Sequence, residues 1–368
     1  MRHSSFLEVN LGLLQENFHH IQRLSAANIL PMVKADAYGN GLLPVSETLV
    51  EECGVKRLGC ASLGEALEVY RQSPKLPVEM WVFSDSEIMN PELHHHYRNL
   101  PITPVLHHKD HVEMVLKSPV LKDLPLVLKI NTGMNRLGIS LEDLAVLAPR
   151  LKNRGVKHLM THFACSYYPL KEGDKTHRQM EEFHRAKKIL SDAGVACEET
   201  SVANSGAIEQ AFGVGETYVR PGLMLYGPPS VEPQIWNGHQ ISKLVTTVIS
   251  TFSVKKGTPV GYGINVAGED GFIAIIPIGY ADWSVTTVSG AQIIVNGMKA
   301  RFFARVNMDM CFLMFEPSAV GKIKMGDRIE IWNHDNRVIA DLATQMKTIP
   351  YHLMCGVTNR IPRIYKVK

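Results

Sequence analysis

Residues 126–161 read LVLKINTGMNRLGISLEDLAVLAPRLKNRGVKHLMT, and this repeat unit decides the fold. Leu126–Ile130 and Lys157–Thr161 are short apolar runs of strand character. Between them, Leu141, Leu144, Val146, Leu147 and Leu151 are spaced to share one side of a helix over Leu141–Leu151. Strands that are apolar throughout and alternate with helices belong to a parallel sheet covered on both faces. The same unit recurs in both directions. Leu30–Val33, Arg57–Ala61, Val78–Phe83 and Ile102–Leu106 precede it, and Cys197–Ser201 and Tyr218–Arg220 follow it, giving eight candidate strands. A second clear helix spans Thr176–Ala193, with Met180, Phe183, Ala186, Ile189 and Leu190 on its apolar side. Eight such units predict an α/β fold of the (β/α)8 TIM-barrel type. A doubly wound open sheet is the alternative.

The pattern changes near Pro228–Gly238. Beyond it the chain reads as strands, at Lys243–Val254, Phe272–Ile278, Ala291–Val295, Met310–Phe315 and Asp327–Trp332, with helical spacing only at Asp341–Met346. We therefore expect a barrel over residues 1–233 and a mainly β C-terminal domain over 234–368. Its 368 residues suffice for a large core without staples. The formal net charge of +3 argues against binding nucleic acid through bulk charge. Six dispersed cysteines, none in a C-x-x-C pair, read as free thiols of a reducing compartment. The start of the chain lacks the apolar run of a signal peptide, and no apolar stretch is long enough for a membrane span, so a cytoplasmic protein is expected.

Barrel enzymes build their sites where strands end. Lys34 ends the first strand in Pro31-Met-Val-Lys-Ala-Asp-Ala-Tyr-Gly39. Position alone allows a surface lysine. It also allows a half-buried, nucleophilic amine able to form a Schiff base with an aldehyde cofactor. Lys129 and Arg136 follow the fifth strand, and His162 follows the sixth, on the same rim. Ala203-Asn-Ser-Gly-Ala207 and Tyr218-Val-Arg-Pro-Gly-Leu223 occupy the places where barrels bind phosphate, with Ser205, Gly206, Gly222 and Leu223 as candidates and Arg220 beside them. In the second domain, Val260-Gly-Tyr-Gly263 exposes Tyr262 in a turn. His94–His96 and His107–His108 lack a metal-binding motif and read as surface histidines, so no metal site is expected.

The stretches Val33–Gly39, Lys129–Gly138, Thr161–Cys165, Ala203–Ala207, Val219–Gly222, Val260–Gly263, Ile276–Asp282 and Met308-Asp309 together resemble alanine racemase, a fold-type III pyridoxal-phosphate family. The matches keep family order over nearly the whole chain. The resemblance implies that Lys34 holds pyridoxal 5'-phosphate and is one of two acid/bases. Tyr262 would be the other, reaching the site from the second subunit of a head-to-tail homodimer. Arg220 would contact the pyridine nitrogen with His162 behind it. Tyr38, Ser205, Gly222 and Leu223 would cradle the phosphate, and Arg136 and the Met308 N–H would bind the substrate carboxylate. Lys129 matches a lysine that is carbamylated in some relatives. The implied reaction interconverts L- and D-alanine, supplying D-alanine for peptidoglycan.

Three positions depart from the family pattern. Asn40 stands in place of a histidine, Asn131 in place of an aspartate, and Asn359 in place of a tyrosine that touches the phosphate. Asn359 raises the alternative of serine or broader specificity. A fold-type III decarboxylase would use a C-terminal cysteine, for which Cys311 and Cys355 are the candidates, and a single-barrel pyridoxal-phosphate carrier would lack the second domain.

Overall fold

The computed structural model describes residues 4–283 and 286–367; the outermost residues of the two expected domains, 1–3 and 368, lie outside it. Eight parallel strands follow one another around a single sheet: Asn28–Ile29, Arg57–Cys60, Glu79–Val82, Ile102–Leu106, Val127–Lys129, Val156–Met160, Cys197–Ser201 and Tyr218–Val219. The first pairs with the last. The ring closes where the chain beyond Ile29 runs beside Arg57–Cys60: the Val33 N–H donates to the Gly59 carbonyl and the Gly59 N–H to the Pro31 carbonyl, each at 2.8 Å. The barrel, rather than the open sheet, is therefore the architecture. The first strand pairs earlier than Leu30–Val33, the run expected from apolarity, because its ladder partner Tyr218–Val219 meets it at Asn28 and Ile29.

The helix Leu141–Leu151 has the predicted bounds and opens on Ser140, whose Oγ accepts the Asp143 N–H at 3.0 Å. Leu144, Leu147 and Leu151 are buried, but Val146 is 74% exposed. Placing Val146 on the apolar side was wrong: it lies two residues past Leu144, about 200° around the helix, and faces outward. The second helix runs over Lys175–Asp192, capped by Asp174.

The C-terminal domain holds two sheets. One is fully antiparallel, in the order Ser250–Val254, Gly271–Ile276, Cys311–Phe315, Met298–Phe303 and Gln292–Val295. The other is ordered Arg328–Trp332, Ser242–Thr247, Phe6–Asn10 and Arg363–Lys366. Its third member departs from the expected division at residue 233. Phe6–Asn10 pairs antiparallel with Ser242–Thr247 and parallel with Arg363–Lys366, so the start of the chain builds the second domain. Its burial on both sides is what a central strand requires, with Phe6, Leu7 and Val9 buried. The run Lys243–Val254, expected as one strand, is two strands in different sheets. Met298–Phe303 and the helix Pro350–Cys355 were not anticipated, and the last long helix is Asn336–Gln345. One continuous apolar core joins the barrel to Trp283 and Trp332 of the second domain. A smaller cluster, including Val260, Ala304 and Phe312, lies under the turn carrying Tyr262. Among the described residues no helix is long and apolar enough to cross a membrane.

Candidate active site

The backbone after Lys34 is the unusual local feature of the barrel rim. Ala35, Asp36, Ala37 and Tyr38 all take left-handed φ values, between 51° and 57°, and Gly39 follows at 81°. Left-handed turns cost L-residues roughly 1–2 kcal/mol each, so the segment must be held from outside. Glu65 accepts the Ala35 N–H at 2.7 Å, and Asp36 Oδ1 accepts the Leu42 N–H at 2.7 Å. Arg363, from the C-terminal domain, donates to the Gly39 carbonyl from Nε and Nη2, each at 3.2 Å. The Asn40 amide donates to the Ala37 and Tyr38 carbonyls at 2.9 and 3.1 Å. The turn buries Tyr38 against Tyr226, with ring centroids 4.7 Å apart, and brings its hydroxyl close to Gly222.

A cavity of about 270 Å³ opens at this rim. Lys34, Tyr38, Lys129, Arg136 and His162 line it, as do Ser205, Gly206, Arg220, Gly222 and Leu223. The lining holds two lysines, two arginines and a histidine but no carboxylate. Burial and the neighbouring Arg136 pull the Lys34 amine below the ordinary lysine range. Burial with Arg136, Arg220 and Lys34 pulls Lys129 down to about 7. Burial, then the same cations, pushes His162 far below its usual value, so it is neutral. Burial alone pulls Arg220 to about 9. A pocket with this much unopposed positive charge is built for a ligand with more than one anionic group.

One end is shaped for a tetrahedral anion. Ser205 Oγ accepts the Gly222 N–H at 3.0 Å and the Met224 N–H at 3.3 Å, tying two loops together. Asn204, which caps the short segment after it, is fixed by Ser166 at 2.6 Å. A Cβ on Gly222 would stand 2.2 Å from the Tyr38 hydroxyl, and one on Gly206 2.5 Å from the Ser166 carbonyl. Neither position has room for a larger side chain beside the serine.

Three expected site residues lie elsewhere. Tyr262 is 67% exposed on the turn 260–263, whose shape is fixed by the Val260 N–H to Asn265 carbonyl bond at 3.0 Å and by Asn265 Nδ2 on the Tyr262 carbonyl at 2.7 Å. Met308 is 54% exposed on the same domain. Neither lines the cavity of its own chain. Asn359 is also exposed and outside the cavity. The cavity of this chain does not include the position at which the resemblance placed a cofactor contact. The aromatic residue at the cavity is Tyr351, at the start of the helix Pro350–Cys355, with its ring 5.7 Å from that of Tyr38 and its phenol pushed by burial to about 12. The helix-starting Pro350 just before Tyr351 was the signal that could have found it. Ser84, Ser166, Tyr167, Asn204 and Ser230 are the other polar lining residues not anticipated. Among the described residues no cluster of three or more His, Cys, Asp or Glu side chains is placed to hold a metal ion, and all six cysteines are free.

Comparisons with known proteins agree with this geometry. Residues 9–229 match the family model "Alanine racemase, N-terminal domain" and residues 241–365 match "Alanine racemase, C-terminal domain". Alanine racemase of Marinobacter nauticus is 32% identical over 372 residues, covering 97% of this chain and 98% of that protein. The biosynthetic alanine racemase structure from Pseudomonas aeruginosa superposes with a TM-score of 0.84 at 26% identity, covering 99% of this chain and all of that one. A structure of alanine racemase from Bartonella henselae with covalently bound pyridoxal phosphate shares the fold, with a TM-score of 0.85 at 22% identity over 99% of this chain and 100% of that one. Both domains, the order of their motifs and the cavity between the barrel loops place this chain in the alanine racemase family.

Proposed function

We propose that this chain is a pyridoxal-phosphate-dependent racemase that interconverts L- and D-alanine. The observation that carries the reading is one cavity holding a half-buried lysine of lowered basicity, a buried arginine and a glycine–serine anion cradle, with no carboxylate in its lining. The residues fit the cofactor. The cradle of Ser205, Gly206, Gly222 and Leu223 beside Tyr38 suits its phosphate, and Lys34 suits its aldehyde. Arg220 suits its ring nitrogen.

Bound to Lys34, the cofactor supplies an electron sink that acidifies the substrate α-proton. The protein's own groups then do three things. Arg136 and the Met308 N–H hold the substrate carboxylate. Lys34 Nζ removes or returns the α-proton on one face; burial and the neighbouring Arg136 lower its basicity and so favour the neutral amine that proton removal requires. The Tyr262 hydroxyl serves the opposite face. Because that ring stands on the surface of its own chain, we assign it to the cavity of a second copy, in a homodimer with shared sites. Arg220 would face the ring nitrogen, and as a guanidinium, which only donates, it would disfavour protonation of that nitrogen. D-alanine for peptidoglycan would be the product used in the cell, and six unbridged thiols suit the cytoplasm.

The serine alternative rested on Asn359, which, like Tyr262 and Met308, is outside the cavity of its own chain, whereas Tyr351 lines it. Alanine is therefore the expected main substrate. The test is the visible absorbance of purified protein beside Lys34→Ala, with D-alanine formation from L-alanine measured in parallel. A visible band and racemisation in the wild type, both lost in the variant, are expected. A wild type that stays colourless with added pyridoxal phosphate would sink the reading.

A further inference from the structure

Arg220 is buried at the inner end of the cavity, and each group it donates to is neutral: Ser201 Oγ, the Thr161 carbonyl and the Val202 carbonyl. A guanidinium without a carboxylate partner in such surroundings is costly. A path to a negative charge runs behind Ser201. Its Oγ lies 2.7 Å from His158 Nε2. On the other side of the ring, His158 Nδ1 lies 3.3 Å from Glu199 Oε2, which also accepts from Arg57 Nη1 at 2.6 Å. His158 is wholly buried, edge-on to Trp81 with ring centroids 4.9 Å apart. The sheet register fixes the chain of contacts, because His158 faces Glu199 and Met160 faces Ser201 on adjacent parallel strands.

One arrangement of hydrogens satisfies every member. Arginine only donates, so Ser201 Oγ accepts from Arg220 and has one hydrogen left to give. That hydrogen goes to His158 Nε2, which must carry a lone pair. The neutral ring then bears its hydrogen on Nδ1, facing the Glu199 carboxylate, which only accepts. The charged groups facing the ring are Glu199 on one side and Arg57 and Arg220 on the others; burial and the two cations hold it below its ordinary basicity. We propose that His158 is a positioning residue for Arg220, relaying the negative charge of Glu199 through Ser201 so that the guanidinium stays charged and fixed at the cavity. The functional part of this inference rests on the proposed cofactor chemistry; the relay itself does not.

Two measurements test it. Long-range proton–nitrogen NMR of imidazole-labelled protein, with His158→Gln used to assign the signal, should show a neutral ring with hydrogen on Nδ1. A ring protonated on Nε2 alone, or on both nitrogens at pH 8, overturns the relay whatever the cofactor does. In the holoenzyme, Ser201→Ala and His158→Phe should each lower kcat about tenfold, with KM within about twofold. They should also move the alkaline limb of the kcat profile, and the alkaline titration of the visible band, about one pH unit lower, because Arg220 has lost its compensating charge. Ser201→Thr retains the hydroxyl, and His158→Gln offers an amide oxygen to Ser201 and an NH2 to Glu199; both should stay within about threefold of wild type. The double variant Ser201→Ala/His158→Phe should be no worse than the weaker single one. Additive losses, or a folded His158→Phe protein with wild-type band and profile, would overturn the proposal. A wild type without a band would overturn the cofactor reading instead, and the NMR result would then decide the relay alone.

Discussion

Gly222→Ala tests the anion cradle most directly. The added Cβ would sit 2.2 Å from the Tyr38 hydroxyl and 3.0 Å from its ring carbon Cζ. An ordinary contact needs about 3.4 Å, so roughly 1.2 Å must be recovered. Tyr38 cannot easily recoil. Its ring is stacked on Tyr226, and its backbone lies in the left-handed turn held by Arg363 and Asn40. Gly222 has φ of −119°, so the cost is one of space at Tyr38 and not of a left-handed backbone. Overpacking of this kind costs about 1–3 kcal/mol. Displacing the Tyr38 hydroxyl removes one hydrogen bond to a charged group, worth about 1.5–3 kcal/mol. At 1.4 kcal/mol per tenfold, pyridoxal phosphate should bind about 10- to 100-fold more weakly. Titration of cofactor-free protein followed by visible absorbance measures this. Adding Tyr38→Phe removes the clashing oxygen and should recover part of the melting temperature lost in Gly222→Ala, but not the cofactor affinity. If Gly222→Ala binds within twofold of wild type and melts at the same temperature, the cradle has been misplaced.

Other outcomes follow from the same geometry. Lys129 has a folded-state pKa of about 7, below its unfolded value, so the unfolded chain binds more protons between about pH 7 and 10.5. Stability of the cofactor-free protein should therefore rise with pH across that window, by up to about 1.4 kcal/mol per unit from this group; Lys129→Met should flatten the rise in thermal melts and be the more stable protein at pH 7. Tyr262→Phe alters an exposed ring, so its melting should match wild type within about 0.5 kcal/mol, while racemisation falls about 100-fold or more; a kinetic effect under threefold would remove Tyr262 from the chemistry. Asn359→Tyr should leave the ratio of alanine to serine turnover unchanged, and Tyr351→Ala should shift it toward serine, as read by chiral chromatography of the products. The reverse pattern would restore Asn359 to the site.

Much of this protein is written locally. Short runs separated by helical spacing point to parallel βα units, because most of them are apolar throughout and leave no polar alternation to read otherwise; Cys197–Ser201, largely polar and only partly buried, is the exception, and closure into a barrel is seen only in the structure. The rim residues Lys34, Lys129, His162 and Arg220 could be found because each lies at or just beyond the C-terminal end of an expected strand, and parallel strands bring their ends to one side. What remained hidden depends on contacts remote in sequence. Nothing in Phe6–Asn10 says that it will pair with Ser242–Thr247 and Arg363–Lys366. Apolar spacing alone could not break the Lys243–Val254 run into strands of two sheets, since both halves have the composition of a strand. Tyr351 and Asn359 lie eight positions apart in a segment whose helix begins at Pro350, and only its docking against Tyr38 decides which of them meets the cavity of this chain. The link from Arg220 through Ser201 and His158 to Glu199 likewise exists only once adjacent strands fall into register. The sequence determined the elements and the rim chemistry, because both follow from residues near one another in the chain. Tertiary structure decided strand partners, the aromatic wall and the buried relay, because those depend on where distant segments meet.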